Sequence, residues 1–224
     1  MESQRLIKAK ATGSGKRTFL PPIFPITDKR LARKASHFAI LRELVRGGAQ
    51  FVEIRDKSTP VQELLEDLCR CAEFASKNGV TLIVNDRCDL ALGCGAGGVH
   101  LGQDELPPEA ARKILGRDKI IGFSTHTLAE VRKSLQLPID YIGFGPVYVT
   151  TTKENASPTV GLRQLVAACK SSSVPVVAIG GISLKRIREV LRSGATSAAV
   201  ISALMEAKDI ALQMQLFLEA ATER

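Results

Sequence analysis

Short apolar runs alternate with helical stretches along most of the chain, and no other feature limits the fold so tightly. The runs are IFPIT (23–27), FVEIR (51–55), TLIVN (81–85), GVHLG (98–102), KIIGFS (119–124), DYIGFG (140–145), VPVVAIG (174–180) and TSAAVIS (196–202). Helical patterns separate them. Over 60–77, Val61, Leu64, Leu65, Leu68, Ala72 and Ala75 recur at helical spacing until Asn78-Gly79 ends the helix. Further helices are expected up to Val45, at 87–93, 108–115, 128–135 and 162–170, from Ser183 onward, and at 205–221. Brief apolar strands, each followed by a helix, call for a parallel sheet. Eight such units in a chain of 224 residues predict a single-domain TIM (β/α)8 barrel over 22–224. A doubly wound sheet is the alternative. It needs fewer strands and leaves the polar groups at most strand ends unexplained.

Aromatic residues make up 4% of the chain and tryptophan is absent, so the core is built mostly from Val, Ile, Leu and Ala. The same scarcity argues against a base-stacking surface, and nucleic acid is not an expected partner. The formal charge of +8 favours anionic small molecules. Part of the excess lies near the start, where Arg5, Lys8, Lys10, Lys16 and Arg17 face only Glu2. Residues 1–21 are expected to be a basic, disordered extension. Within it GSGKR (13–17) imitates a phosphate loop. It lacks the full glycine spacing, has Arg17 where Ser or Thr should stand, and follows no strand. The five cysteines are odd in number and include no CxxC, which reads as reduced thiols of a cytoplasmic protein. No apolar run is long enough to span a membrane. The oligomeric state, homo-oligomer or monomer, is open at this stage.

The second strand continues into FVEIRDKS (51–58), with Glu53, Arg55 and Lys57 at every second position. In a barrel strand one parity faces the helices and the other the axis. Val52 and Ile54 then pack outward, Glu53 and Arg55 point toward the axis, and Lys57 sits at the mouth. The carboxyl ends of barrel strands form the usual catalytic rim. Other strands end in the same way: Asn85-Asp86 after the third, His100 on the fourth, Ser124-Thr125-His126 on the fifth. Tyr141 shares a parity with Gly143 and Gly145, which leave its ring room to reach inward. Each has a plainer alternative. Asn85, Asp86 or Ser124 could cap a helix, and His100 could be a core histidine. Their joint appearance on one rim favours a site.

Two features concern phosphate. Gly180-Gly181 end the seventh strand just before a helix, and Ile201-Ser202 end the eighth. Barrels often bind phosphate with these two loops. The loop VYVTTTKENASPTVG (147–161) brings four threonines and Lys153, a composition suited to closing over a polyanion. Arg55, Lys57 and Lys153 are more cation than one monophosphate needs. Asp86 and the pair Asp104-Glu105 offer hard oxygen ligands for magnesium. A diphosphate with magnesium and a separate monophosphate fit this set.

FVEIRDK, TLIVNDRCDLAL, AGGVHLGQDELP, GFSTHT, DYIGFGPVYVTTTK, VPVVAIGGIS and AAVISAL together resemble the thiamine-phosphate synthase and thiazole tautomerase family, over about residues 22–205. The resemblance implies a transferase that joins 4-amino-2-methyl-5-pyrimidinylmethyl diphosphate to 4-methyl-5-(2-phosphooxyethyl)thiazole, with magnesium, through a carbocation-like dissociation. It implies that Arg55, Lys57, Asn85, Ser124 and Lys153 bind the diphosphate and that Asp86 and Glu105 hold the metal. Thr150, Thr152, Gly181, Ile201 and Ser202 would hold the thiazole phosphate. Glu53, His100 and Tyr141 would line the pyrimidine pocket. Two positions depart from the pattern. Glu53 stands where the synthases commonly have glutamine, and Asp104-Glu105 reverses the usual order of acids, so that either could be the metal carboxylate. The alternatives are a thiazole tautomerase using His126, which has no need of the diphosphate cations, and a non-catalytic barrel that binds phosphate ligands.

Overall fold

The strands are too short and too apolar to be stable unless hydrogen-bonded on both sides, and closure provides that. A computed structural model describes residues 19–150, 152 and 158–222. In it β1 (Ile23–Thr27), β2 (Phe51–Ile54), β3 (Thr81–Asn85), β4 (Gly98–Leu101), β5 (Ile120–Thr125), β6 (Tyr141–Phe144), β7 (Val176–Ile179) and β8 (Ser197–Val200) form a closed barrel in sequence order. Every neighbouring pair is parallel, including β8 with β1. This is the expected TIM barrel; the open doubly wound sheet is ruled out.

Parity divides the core into two. Outward residues such as Val52, Ile54, Val84, Val99 and Ile142 join the helices in one large cluster. Inward residues form a smaller one: Leu20, Phe24, Ile26, Phe51, Ile83, Tyr141, Val177 and Ala199. Phe24 and Phe51 lie 4.9 Å apart between ring centres, and Tyr141 is 5.8 Å from Phe24. These three rings fill the axis and form the floor beneath the carboxyl rim. They fit because their neighbours are small. A Cβ on Gly122 would collide with the Tyr141 ring and with His100 Nδ1.

The helices are α1 (Lys29–Ala32), α2 (His37–Arg46), α3 (Val61–Lys77), α4 (Cys88–Gly93), α5 (Pro108–Leu115), α6 (Leu128–Ser134), α7 (Gly161–Ser171), α8 (Ile187–Arg192), α9 (Ser202–Met205) and α10 (Ile210–Thr222). The first expected helix is two, because Arg33 takes a left-handed conformation (φ 50°) and ends α1. The Ser36 side chain then caps α2 by accepting from Ala39 N. The final expected helix is also two, α9 and α10, and Ser202 opens α9 instead of closing β8. After β7 a turn occupies 183–186, and α8 starts only at Ile187. No helix among the described residues is long and apolar enough to cross a membrane.

Gly98 marks the closest approach of β4 to β5, since a Cβ there would collide with the carbonyl of Ile120. Backbone cannot yield as a flexible side chain can. Gly98→Ala is therefore expected to lower unfolding free energy by about 1–3 kcal/mol. The urea midpoint should fall with an unchanged slope.

Candidate active site

One cavity of about 690 Å³ opens at the carboxyl ends of the strands. That size suits one or two small ligands. Register explains which side chains reach it. Glu53 pairs with Ile26 and Ile83, Asn85 with His100, and Ser124 with Gly143, all of inward parity. Glu53, Arg55 and Lys57 line the cavity from β2 and the turn after it. Asn85, Asp86, His100, Glu105, Ser124 and Tyr141 line it from β3 to β6. Thr150, Thr152, Gly181, Ile201 and Ser202 line it from the last three loops. Lys153 and the neighbouring 154–157 lie outside the described residues. Every other residue to which the family resemblance gives a site role lines this cavity.

The floor is a hydrogen-bonded string. His100 bridges two hydroxyls, with Nδ1 3.0 Å from Tyr141 Oη and Nε2 2.9 Å from Ser124 Oγ. Ser124 is therefore no helix cap; Thr127 caps α6. Burial, then the charges of Glu53 and Asp140, push the Tyr141 phenol well above its ordinary pKa. It stays neutral, able to donate or accept. Glu53 is 2% exposed and forms the acidic part of this floor.

The rim carries charge. Asp86 has φ 64°, rare for a residue with a side chain, and its N–H donates to the carbonyl of His100 at 2.8 Å. It does not cap α4, whose cap residue Arg87 makes no side-chain cap bond. The conformation instead brings the Asp86 carboxylate to the mouth. There Lys57 Nζ lies 3.1 Å from Asp86 Oδ2 and 3.9 Å from Glu105 Oε1. Lys57 is 57% exposed. Such a pair adds only about 0–1 kcal/mol to stability, so stability does not explain it. What it brings together is a cation and two hard carboxylates at one point. Of the two candidate acids, Glu105 is the one that shares Lys57.

Across the cavity, β7 is followed by Gly180 and Gly181, with φ 101° and 61°. A side chain at either would meet the 146–149 segment, which lies directly over the turn. Arg186 Nη1 donates to Gly181 O at 2.8 Å and its guanidinium covers the Tyr148 ring. Thr150 and Thr152 hydroxyls are 3.3 Å apart above it. Consecutive positive-φ residues make a concave backbone suited to an anion. His126 donates from Nδ1 to Gly145 O at 2.7 Å.

Some lining residues were not picked out from the sequence. Gln103 donates to Ser124 O at 2.5 Å. Lys29 and Asp56 line the cavity and form an ion pair of 3.2 Å. Asp56 sits inside the charged stretch, but its parity points away from the axis, so alternation hid it.

The family model described as thiamine monophosphate synthase matches residues 23–204. The chain belongs to that family. It is 39% identical over 188 residues to a thiamine-phosphate synthase of Chloroflexus aurantiacus, covering 84% of this chain and 87% of that one. With thiamine-phosphate synthase 1 of Aquifex aeolicus it shares 40% identity over the same coverage. Among solved structures, a thiamine phosphate pyrophosphorylase from Pyrococcus furiosus superposes with TM-score 0.81 at 33% identity. That match covers 90% of this chain and 96% of the other. Within the family's barrel, the His100 string is the part most directly tested by a single atom. Tyr141→Phe removes the buried hydroxyl that meets the half-buried His100 at Nδ1. A loss of about 0.5–1.5 kcal/mol in unfolding free energy is expected, measured by urea denaturation.

Proposed function

We propose that the protein is a thiamine-phosphate synthase, a transferase that joins a pyrimidine methyl diphosphate to a thiazole phosphate and releases pyrophosphate. The observation that carries this is the Lys57–Asp86–Glu105 cluster on the rim above the His100–Tyr141 floor, with a glycine turn opposite. Two different anion sites in one cavity fit two phosphorylated substrates.

In this proposal the pyrimidine rests on the floor against Glu53, His100 and Tyr141. Its diphosphate faces Arg55, Lys57, Asn85 and Ser124, with Lys153 from the loop above. The thiazole phosphate takes the turn at Gly181 with Ile201-Ser202, covered by Thr150 and Thr152. Asp86 and Glu105 fit a magnesium ion, because their oxygens converge on a point already suited to a cation, Lys57 Nζ. Two carboxylates are too few for a protein-only site, and no group of three or more potential ligands occurs among the described residues. The remaining ligands would be diphosphate oxygens and water. Bound there, magnesium supplies charge neutralisation for the leaving pyrophosphate.

The bond between the pyrimidine methylene carbon and the diphosphate oxygen breaks, and the electron pair leaves with pyrophosphate. Arg55 and Lys57 stabilise the charge that builds there. The methylene carbon is left electron-poor, and the thiazole nitrogen donates its lone pair to form the new C–N bond. The chain supplies no nucleophile. Its residues orient the two rings and exclude water. Glu53 can accept from the pyrimidine amino group in its ionised form and can donate to a ring nitrogen only when protonated. All five cysteines are free. That fits a reducing compartment, and we place the reaction in the cytoplasm.

The test is direct. Purified protein given both substrates should release pyrophosphate and thiamine phosphate in equal amounts with magnesium, and far less with a chelator. Arg55→Ala and Asp86→Asn are each expected to lower kcat/KM by about 10²–10³. A tautomerised thiazole with no pyrophosphate would instead point to His126 and the tautomerase. Binding of pyrophosphate without any turnover would leave a ligand-binding barrel.

A further inference from the structure

Behind the charged strand a buried histidine, His37, takes no part in the cavity. It is 1% exposed, at the start of α2. Its backbone is tied to α3, since His37 N donates to Asp67 Oδ2 at 2.6 Å and Phe38 N to Asp67 Oδ1 at 3.3 Å. Its ring spans two other elements. Nδ1 lies 2.8 Å from Thr27 Oγ1 at the end of β1, and Nε2 lies 3.0 Å from Asp56 Oδ2 just after β2.

The donors and acceptors can be assigned. Asp56 Oδ1 accepts from Ser58 N and Thr59 N, each at 2.8 Å. Asp56 Oδ2 accepts from Thr59 Oγ1 at 2.7 Å, and Lys29 Nζ is 3.2 Å away. Burial alone would raise this carboxyl's pKa. The hydrogen bonds from Ser58, Thr59 and His37 outweigh it and hold the group well below the ordinary carboxylate range. An ionised carboxylate only accepts, so His37 Nε2 carries a proton. Burial lowers the His37 pKa against the opposing pull of Asp56 and Asp67, which favours the neutral ring with Nδ1 as acceptor. Thr27 then donates its hydroxyl proton to Nδ1 and accepts from Arg55 N at 3.3 Å.

The result is a ring of hydrogen bonds with one direction: Arg55 N–H to Thr27, Thr27 to His37, His37 to Asp56. It starts and ends on adjacent residues. Arg55 and Lys57, the two cations of the rim, flank the anchored Asp56. We propose that His37 is a positioning residue. Acting through Asp56 and Thr27, it holds the Arg55–Lys57 segment in the orientation that binds the diphosphate. This rests on the diphosphate reading of Arg55 and Lys57 given above.

The test uses four variants of the full chain and magnesium pyrophosphate as the probe, followed by calorimetry. His37→Leu keeps the bulk and removes both bonds. Thr27→Val breaks the ring at another node with the same shape, and serves if His37→Leu fails to fold. Arg55→Ala removes a rim cation itself. His37→Leu and Thr27→Val are each expected to weaken pyrophosphate binding about tenfold, the scale of one lost hydrogen bond to a charged group. The KM for the pyrimidine diphosphate should rise in step, while the KM for the thiazole phosphate stays within about twofold. His37→Gln, whose amide can reach Asp56, should recover most of the loss. Pyrophosphate binding unchanged in folded His37→Leu or Thr27→Val, but weakened in Arg55→Ala, overturns the positioning role. Equal loss toward both substrates, not rescued by His37→Gln, also overturns it and leaves a merely structural histidine. Unchanged binding in Arg55→Ala would instead remove the diphosphate reading itself.

Discussion

A strand hydrogen-bonded on both sides offers its side chains only two directions, and in a closed barrel these are the axis and the helices. The site depends on this constraint. It explains how a strand of four residues can be buried throughout and still deliver charge to a cavity. Val52 and Ile54 satisfy the helix layer, which leaves Glu53 and Arg55 for the axis and Lys57 for the mouth. The same rule sets Asn85 beside His100 and Ser124 beside Gly143, so that residues distant in sequence meet on one floor.

Much of this was legible in the sequence because the alternation is strict. Eight apolar runs, each followed by a helical pattern, leave few other folds. The inward parity of Arg55, His100 and Tyr141 could be counted from the strand ends. Where the sequence misled, the cause was local. Arg33 breaks the first helix through a left-handed conformation that nothing in its residue type announces. Ser202 was assigned to a strand because TSAAVIS is apolar almost to its end, yet it opens a short helix. The work of Asp56 was hidden for a different reason. It lies on the outward parity, so alternation assigns it to the helix layer, and its partners His37, Lys29 and Thr59 come from other elements or the following turn.

The rim and the floor differ in physics. The floor is buried at Tyr141 and half-buried at His100 and Ser124, and its hydrogen bonds tie the three side chains together, which favours shape and fixed orientation. The rim is more open, and Lys57 with its two carboxylates gains little from being paired. That contrast suits a reaction in which one ring must be held still while charge builds and leaves at the other end. The glycine turn completes the arrangement, since 146–149 pack against Gly180 and Gly181 where a side chain would not fit.

The central claim is that Asp86, Glu105 and the cations after β2 form one magnesium–diphosphate site. Crystals grown with pyrophosphate and manganese in place of magnesium would test it, by anomalous scattering from the metal. The account predicts a single strong peak with Asp86 and Glu105 among its ligands and pyrophosphate oxygens completing the shell beside Arg55 and Lys57. A metal bound away from both carboxylates, or pyrophosphate bound at the Gly180-Gly181 turn alone, would contradict it.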